Sequence, residues 1–411
     1  MKKETYFNVY SVALVVIISL FGLLFIKSPS GVQSNVFFVK THNYMADYFN
    51  VAKYSSENDP YNNAINGPGE KAYLPITYVL FNILSRFADY KHQGAFEAGL
   101  SSKGLVSASF FILVSSLAFM LLLFSNINGD LKKKYLLVFT FVFSGIYMFS
   151  FERGNVIILA AFFVTFFIFG YNSKNKFIRE LSYISLAFAA ALKAYPALLG
   201  LLVLSKKQYK ESLRIIVYGF ILSFGPFLII KGGISNIPIW YSNFKISTLN
   251  YLYAVFPRFG HYYFVSIWAN KSHLNSLISK EILNFVFSIL TILISCIIVI
   301  STFFEKKEWR IVGCLISVIL IFPVNSALYC GLYLFPLIVL FFNDDNHEQI
   351  DFSFVLVFII MLCPLQVLYH KINLTTVMIN IALFFMSVFF CINGIRNIAS
   401  RFPILKKNSL L

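Results

Sequence analysis

GLVSASFFILVSSLAFMLLLFS, Gly104–Ser125, decides the fold class. It carries no charged residue and reaches the roughly 20 residues that a helix rising about 1.5 Å per residue needs to cross about 30 Å of hydrocarbon. The segment that follows, NINGDLKKK, contains Lys132, Lys133 and Lys134, so this end of the span is expected in the cytoplasm. Toward the N-terminus a second apolar run, Val9–Ile26, follows Lys2 and Lys3 and has no small-residue cleavage site, which predicts an uncleaved first span leaving the cytoplasm. Lys27 to Lys103 is then an extracytoplasmic loop. Its short apolar run Tyr73–Phe87, with Pro75 near the start, is expected to dip into the membrane without crossing it.

The same reading runs on toward the C-terminus. Tyr135–Phe151 goes out to a polar break at Glu152–Asn155, and Val156–Tyr171 returns to Lys174, Lys176 and Arg179. Leu181–Ser205 is bracketed by basic clusters, the second formed by Lys206, Lys207, Lys210 and Arg214, so a helical hairpin turning at LKAYP is favoured over one crossing. After Ile215–Ile230 comes a second extracytoplasmic loop, Lys231–Glu281, whose Asn250–Trp268 stretch is rich in aromatics. Ile282–Phe304, Ile311–Val324, Leu328–Phe342, Phe352–Tyr369 and Leu374–Ile392 complete an all-α polytopic bundle of about 10 spans plus re-entrant and short helices, one integral membrane domain. The tail with Arg396, Arg401, Lys406 and Lys407 places the C-terminus, like the N-terminus, in the cytoplasm.

Composition agrees: 58% of residues are hydrophobic and only 13% charged, against about a quarter in ordinary soluble domains. The net charge of +16 lies in short clusters between apolar runs, as topology signals and not as a nucleic-acid surface. All five cysteines (Cys296, Cys314, Cys330, Cys363, Cys391) fall in apolar segments, and none of the six histidines has metal-ligand spacing, so neither a disulfide framework nor a metal site is predicted. The absence of GxGxxG and P-loop motifs argues against a nucleotide-hydrolysing engine.

Chemistry-bearing residues are few. In NYMADYFNVAKYSSENDPY, Asn43–Tyr61, a helix puts Tyr44, Tyr48 and Val51 on one face and Asp47, Asn50 and Tyr54 on the other. A carboxylate there can take a proton from a sugar hydroxyl, or it can simply be a solvated acid on an interfacial helix. Asp59 precedes Pro60 and reads as a turn former. Glu152, Arg153 and Asn155 sit between two apolar runs, where an ion marks a substrate site or snorkels to the headgroups. Lys193 falls inside an apolar stretch, and burying an ammonium costs about 2.5 kcal/mol or more, so an anionic partner is expected, either a carboxylate such as Glu152 or a phosphate. Arg258 and His261 lie in the aromatic loop, as interfacial anchors or as contacts for a pyrophosphate or sugar face.

The order of these motifs, an Asp in a short aromatic helix, then DPY, YLP, RGN before a span, and LKAYPALLGLLVL followed by KK, resembles the polyprenyl-phosphate-sugar-dependent membrane glycosyltransferases of glycosyltransferase family 87, within the GT-C fold. The likeness covers roughly Val39–Ser205. A later stretch, FPVNSALYCGLYLFP at Phe322–Pro336, lacks the histidines that family members carry after an SP-type motif. The resemblance implies Asp47 as catalytic base, with Arg153 and Lys193 lining the donor-lipid phosphate pocket. Asn155, Glu152, Asp59, Tyr61, Tyr195, Arg258 and His261 are weaker substrate-binding candidates. It further implies a hexosyltransferase of a bacterial plasma membrane, with a polyprenyl-phosphate sugar as donor substrate, a glycolipid or polysaccharide acceptor, membrane lipids around it and no cofactor. The rival readings are a polysaccharide polymerase or ligase, in which Arg258 and His261 should matter more than Asp47, and a lipid-linked oligosaccharide flippase or transporter, whose repeated halves are not evident here.

Overall fold

The apolar runs become helices wherever backbone polar groups must be satisfied without water. The computed structural model describes residues 3–28, 31–33, 44–57, 59–62, 67–271, 278–370 and 372–401. In chain order the helices are α1 (Lys3–Lys27), α2 (Ala46–Ser55), α3 (Pro75–Ser85), α4 (Ala95–Leu100), α5 (Ser102–Asn126), α6 (Leu131–Val142), α7 (Gly145–Arg153), α8 (Ile157–Gly170) and α9 (Lys176–Leu192). They continue as α10 (Leu201–Ser205), α11 (Tyr209–Phe224), α12 (Asn236–Leu252), α13 (His261–Ala269), α14 (Lys280–Thr302), α15 (Glu308–Ile321), α16 (Leu334–Asn343), α17 (Phe352–Leu362) and α18 (Leu374–Arg401). One antiparallel ribbon, β1 (Leu368–Tyr369) with β2 (Ile372–Asn373), precedes α18. The fold is an all-α polytopic membrane bundle. Among the described residues five helices are long and apolar enough to cross a membrane, and a sixth span forms if α6 and α7 are counted as one. Other apolar runs form shorter helices.

Two departures from the sequence reading have local causes. Tyr135–Phe151 is not one straight span: α6 and α7 meet at 56°. Ser144 caps the second piece by accepting from Tyr147 N, and a side chain at Gly145 would come within 2.8 Å of the Cys363 carbonyl, so the chain turns where it must pass close to another backbone. The apolar run at Phe352–Tyr369 is helical only to Leu362, because Pro364 disfavours helix at the residue before it. The stretch Lys231–Glu281, expected as an extracytoplasmic loop, holds α12 and α13 among its described residues.

Helix α15 is buried continuously from Trp309 to Ile321 and forms the centre of the bundle. By contrast α14 buries only 11% of its apolar window and presents the rest outward, as a helix against lipid does. The basic loops gather at one end: Tyr6 Oη donates to the Glu348 carbonyl, Asn128 N to Asn343 Oδ1, and Lys307 and Arg310 pair with Asp351. The acidic segment Asn343–Asp351 therefore shares an end with the Lys132–Lys134 loop and the start of α1. The tail beyond 401, with Lys406 and Lys407, lies outside the described residues.

Candidate active site

The site begins at the bend, because α7 ends in Arg153 and its termination sequence Arg-Gly-Asn does three things at once. Gly154 adopts φ 62°, and its N–H closes the helix onto the Phe151 and Ser150 carbonyls, as a glycine after a helix C-terminus commonly does. A Cβ at Gly154 would also come 3.1 Å from Met45 Sδ and Tyr48 Cβ, so α2 approaches closely only because the residue is glycine. Asn155 then caps the next helix, its Oδ1 accepting from Ile157 N at 2.9 Å, while its Nδ2 reaches back to Asp47.

The other side of the contact is α2. Met45 N–H donates to the Glu152 carbonyl at 2.7 Å, docking the start of α2 on the end of α7. Tyr48 anchors the helix through its hydroxyl on Ser107 Oγ at 2.6 Å and its ring between Phe81 and Phe111. Tyr54, expected beside Asp47 on the polar face, is instead as buried as Tyr48. Asp47 and Asn50 are left as the partly exposed members of that face. The Asp47 side chain is 17% exposed and that of Arg153 25%, so the pair is open to a small molecule. Arg153 Nη2 holds Asp47 Oδ1, and Asn155 Nδ2 holds Oδ2 at 2.6 Å. Both carboxylate oxygens thus accept charge-assisted or amide hydrogen bonds, which fixes the rotamer of the acid. Glu152, next to Arg153 in the chain, is buried.

Lys193 arrives from α9, which ends one residue earlier. Lys193 itself is extended (φ −146°, ψ 113°), and a 3-10 turn over Tyr195–Gly200 follows. Its ammonium donates to Tyr73 Oη at 3.1 Å and stands 4.4 Å from the centroid of the Tyr73 ring and 5.5 Å from that of Tyr329. Among the described residues no carboxylate pairs with it, and Glu152 is not its partner. Tyr329 lies within electrostatic range of Asp47 and Arg153, and its ring faces the lone cation. Sequence reasoning missed both tyrosines. Tyr73 was in plain view as the aromatic of YLP, just ahead of the Pro75 that starts α3, whereas Tyr329 lies in the Phe322–Pro336 stretch noted only for its missing histidines.

The remaining candidates have other surroundings. Tyr61 is buried, stacks on Phe227 and donates to the Tyr73 carbonyl at 2.8 Å, supporting the backbone that presents Tyr73. Asp59 accepts from the backbone and side-chain nitrogens of Asn62 within its own turn. Tyr195 meets Cys330 Sγ at 3.1 Å and the Tyr333 ring edge-on. Arg258 is fully buried and donates to four backbone carbonyls, those of Tyr251, Leu252, Tyr262 and Val324. Burial lowers its pKa to about 10. His261 sits between Thr291 Oγ1 at 2.8 Å and Ser288 Oγ at 3.3 Å. Neither Arg258 nor His261 touches Asp47, Arg153 or Lys193, so the structure does not bring this pair to the acid.

A family model for glycosyltransferase family 87 matches residues 73–362, more than half of the chain. The match takes in Tyr73, Arg153, Asn155, Lys193 and Tyr329, starts after Asp47, and runs well past Ser205, where the motif likeness faded. No curated protein and no solved structure matches the chain.

Proposed function

The chain belongs to glycosyltransferase family 87, and from that premise we propose that it transfers a mannose- or glucose-like hexose from a polyprenyl-phosphate donor to a lipid- or polysaccharide-linked acceptor. The transfer takes place at the extracytoplasmic face of a bacterial plasma membrane, with the termini on the cytoplasmic side. The Asp47 carboxylate takes the proton of an acceptor hydroxyl. The hydroxyl oxygen bonds to the anomeric carbon from the side opposite the phosphate, the bond from that carbon to the phosphate oxygen breaks, and its electron pair leaves on the phosphate, inverting the centre.

The observation that carries this reading is the constellation itself: an accessible acid held by Arg153 and Asn155, and a cation without a carboxylate among the described residues, Lys193, flanked by Tyr73 and Tyr329. A half-buried ammonium that meets only a phenol and two ring faces favours an incoming anion, and a phosphate supplies one. Arg153 uses Nη2 on Asp47, and no other acceptor takes from its guanidinium among the described residues, which leaves donors for the same phosphate. The polymerase or ligase alternative leans on Arg258, whose guanidinium is already taken up by backbone carbonyls.

The test is Asp47→Asn in purified full-length protein supplied with polyprenyl-phosphate hexoses and membrane lipid extract, with products read by mass spectrometry. The expected result is normal expression and melting with loss of transfer. Turnover like that of the unmodified protein removes Asp47 as the base.

A further inference from the structure

Tyr73 is fixed from its backbone outward. Tyr61 Oη donates to the Tyr73 carbonyl at 2.8 Å, Trp240 Nε1 donates to the Ala72 carbonyl at 3.2 Å, and Asn243 Nδ2 reaches the Lys71 carbonyl at 3.5 Å. Trp240 and Asn243 stand three positions apart on α12 and so share a face. That face continues to Ile246, whose Cγ2 leaves only 3.2 Å for a side chain at Gly69. One side of α12 therefore runs along the backbone just ahead of α3 and sets where Tyr73 stands. The Tyr73 ring then meets the Tyr78 ring edge-on at 6.3 Å between centroids.

The hydroxyl at the end of that ring has a proton still to place. A phenol has one O–H to donate and accepts through its oxygen. Tyr73 Oη accepts from the Lys193 ammonium at 3.1 Å, so its own proton points elsewhere, and among the described residues no acceptor takes it. Tyr73 and Lys193 are both only half-buried. The ammonium has three N–H bonds, so it too can take another partner. An anionic oxygen held at about 2.8 Å from Nζ can stand at hydrogen-bond distance from Oη as well, closing a triangle on the 3.1 Å side.

We propose that Tyr73 is a phosphate ligand in its own right: its O–H donates to the donor-phosphate oxygen that Lys193 holds, and the proton stays on the phenol throughout. The proposal rests on the reading of Lys193 as the cation for the donor phosphate. As the bond to the anomeric carbon breaks and charge builds on the phosphate, the Tyr73 hydrogen bond strengthens, so the hydroxyl helps to stabilise the leaving group. Trp240 and Tyr61 are positioning residues, acting through the backbone that carries Tyr73.

Binding of a polyprenyl phosphate that carries no sugar tests this without turnover. The full-length protein in detergent is titrated with it and read by native mass spectrometry, with the corresponding polyprenol as the uncharged control. Tyr73→Phe keeps the ring face at Lys193 and should weaken the phosphate about tenfold, the loss of one hydrogen bond to a charged group, with the polyprenol unaffected. In a Lys193→Met background the same substitution should still weaken the phosphate severalfold. Unchanged phosphate binding by Tyr73→Phe overturns direct donation. So does an effect that vanishes in the Lys193→Met background, since it then comes only through the ammonium, and so does an equal loss for the polyprenol, as from a disturbed fold. If the unmodified protein binds the phosphate no better than the polyprenol, the donor-phosphate reading of Lys193 falls and takes the proposal with it.

Discussion

Asn155 Nδ2 lies 2.6 Å from Asp47 Oδ2, and the same amide's oxygen caps the helix that begins two residues later. One oxygen of the acid is therefore positioned by the start of a core helix, while Arg153 holds the other. Asn155→Ala should lower turnover by about ten- to a hundredfold, the worth of one hydrogen bond to a charged group at about 1.5–3 kcal/mol, with little change in donor KM. Asn155→Asp should lose more, because a second carboxylate at that distance raises the proton affinity of Asp47, and its residual activity should move to higher pH. Rate profiles against pH for both variants check the claim, and an unshifted Asn155→Asp profile argues against Asp47 as the group that titrates.

Lys193 separates a binding role from a structural one. Its ammonium has a phenol and two ring faces as partners, so removing it leaves no carboxylate unpaired. Lys193→Met should melt no lower than the unmodified protein, since the half-buried ammonium leaves no charged partner stranded when it is removed. Donor KM should nevertheless rise about tenfold or more through the lost phosphate contact. Lys193→Arg should recover part of that loss. A fall in stability with unchanged donor KM would make Lys193 a structural cation.

Arg258 should behave in the opposite way. Its guanidinium closes the end of α12 onto the Val324–Tyr329 segment through four carbonyls, and Phe259 N and Leu328 N add backbone bonds to Ser326 and Pro257 across the same seam. Arg258→Met strands those carbonyls in the interior and should cost about 3 kcal/mol or more, seen as a lower melting temperature in detergent. Arg258→Lys keeps the charge and loses the planar fork, so it should recover little. Melting of Arg258→Met at the unmodified temperature would contradict the seam.

The membrane class was legible because desolvation leaves a coarse signal: an uncharged run such as Gly104–Ser125 has one stable form in lipid. The bend between α6 and α7 was not, because its cause is the approach of Gly145 to a backbone more than two hundred positions away. At the site, Asp47, Arg153 and Lys193 stood out since charge in an apolar setting is costly and so conspicuous. Their pairing stayed hidden: Lys193 was matched to a carboxylate or a phosphate, and Arg153 turned out to hold the acid. Aromatic partners such as Tyr73 and Tyr329 give no contrast in a chain with 24 tyrosines and 48 phenylalanines. Arg258 looked like a ligand contact because nothing local announces that four carbonyls converge on it.

His261 contributes an acid-side loss of stability. Burial, and then the nearby Arg258 charge, lower its pKa from 6.5 to about 4. Facing it are the Thr291 and Ser288 hydroxyls of α14 and the adjoining Tyr262 ring, none of which supplies a negative charge to offset that shift. The unfolded chain takes the proton as pH falls through about 6.5, and the folded chain only near 4. The contribution of His261 to stability is therefore full above the upper value and is lost across the window between the two, at no more than about 1.4 kcal/mol per pH unit. Between pH 7 and pH 5 the melting temperature of the unmodified protein should drop relative to that of His261→Gln, which keeps an amide donor and acceptor for the two hydroxyls. The same slope in both proteins would assign the acid sensitivity to another group.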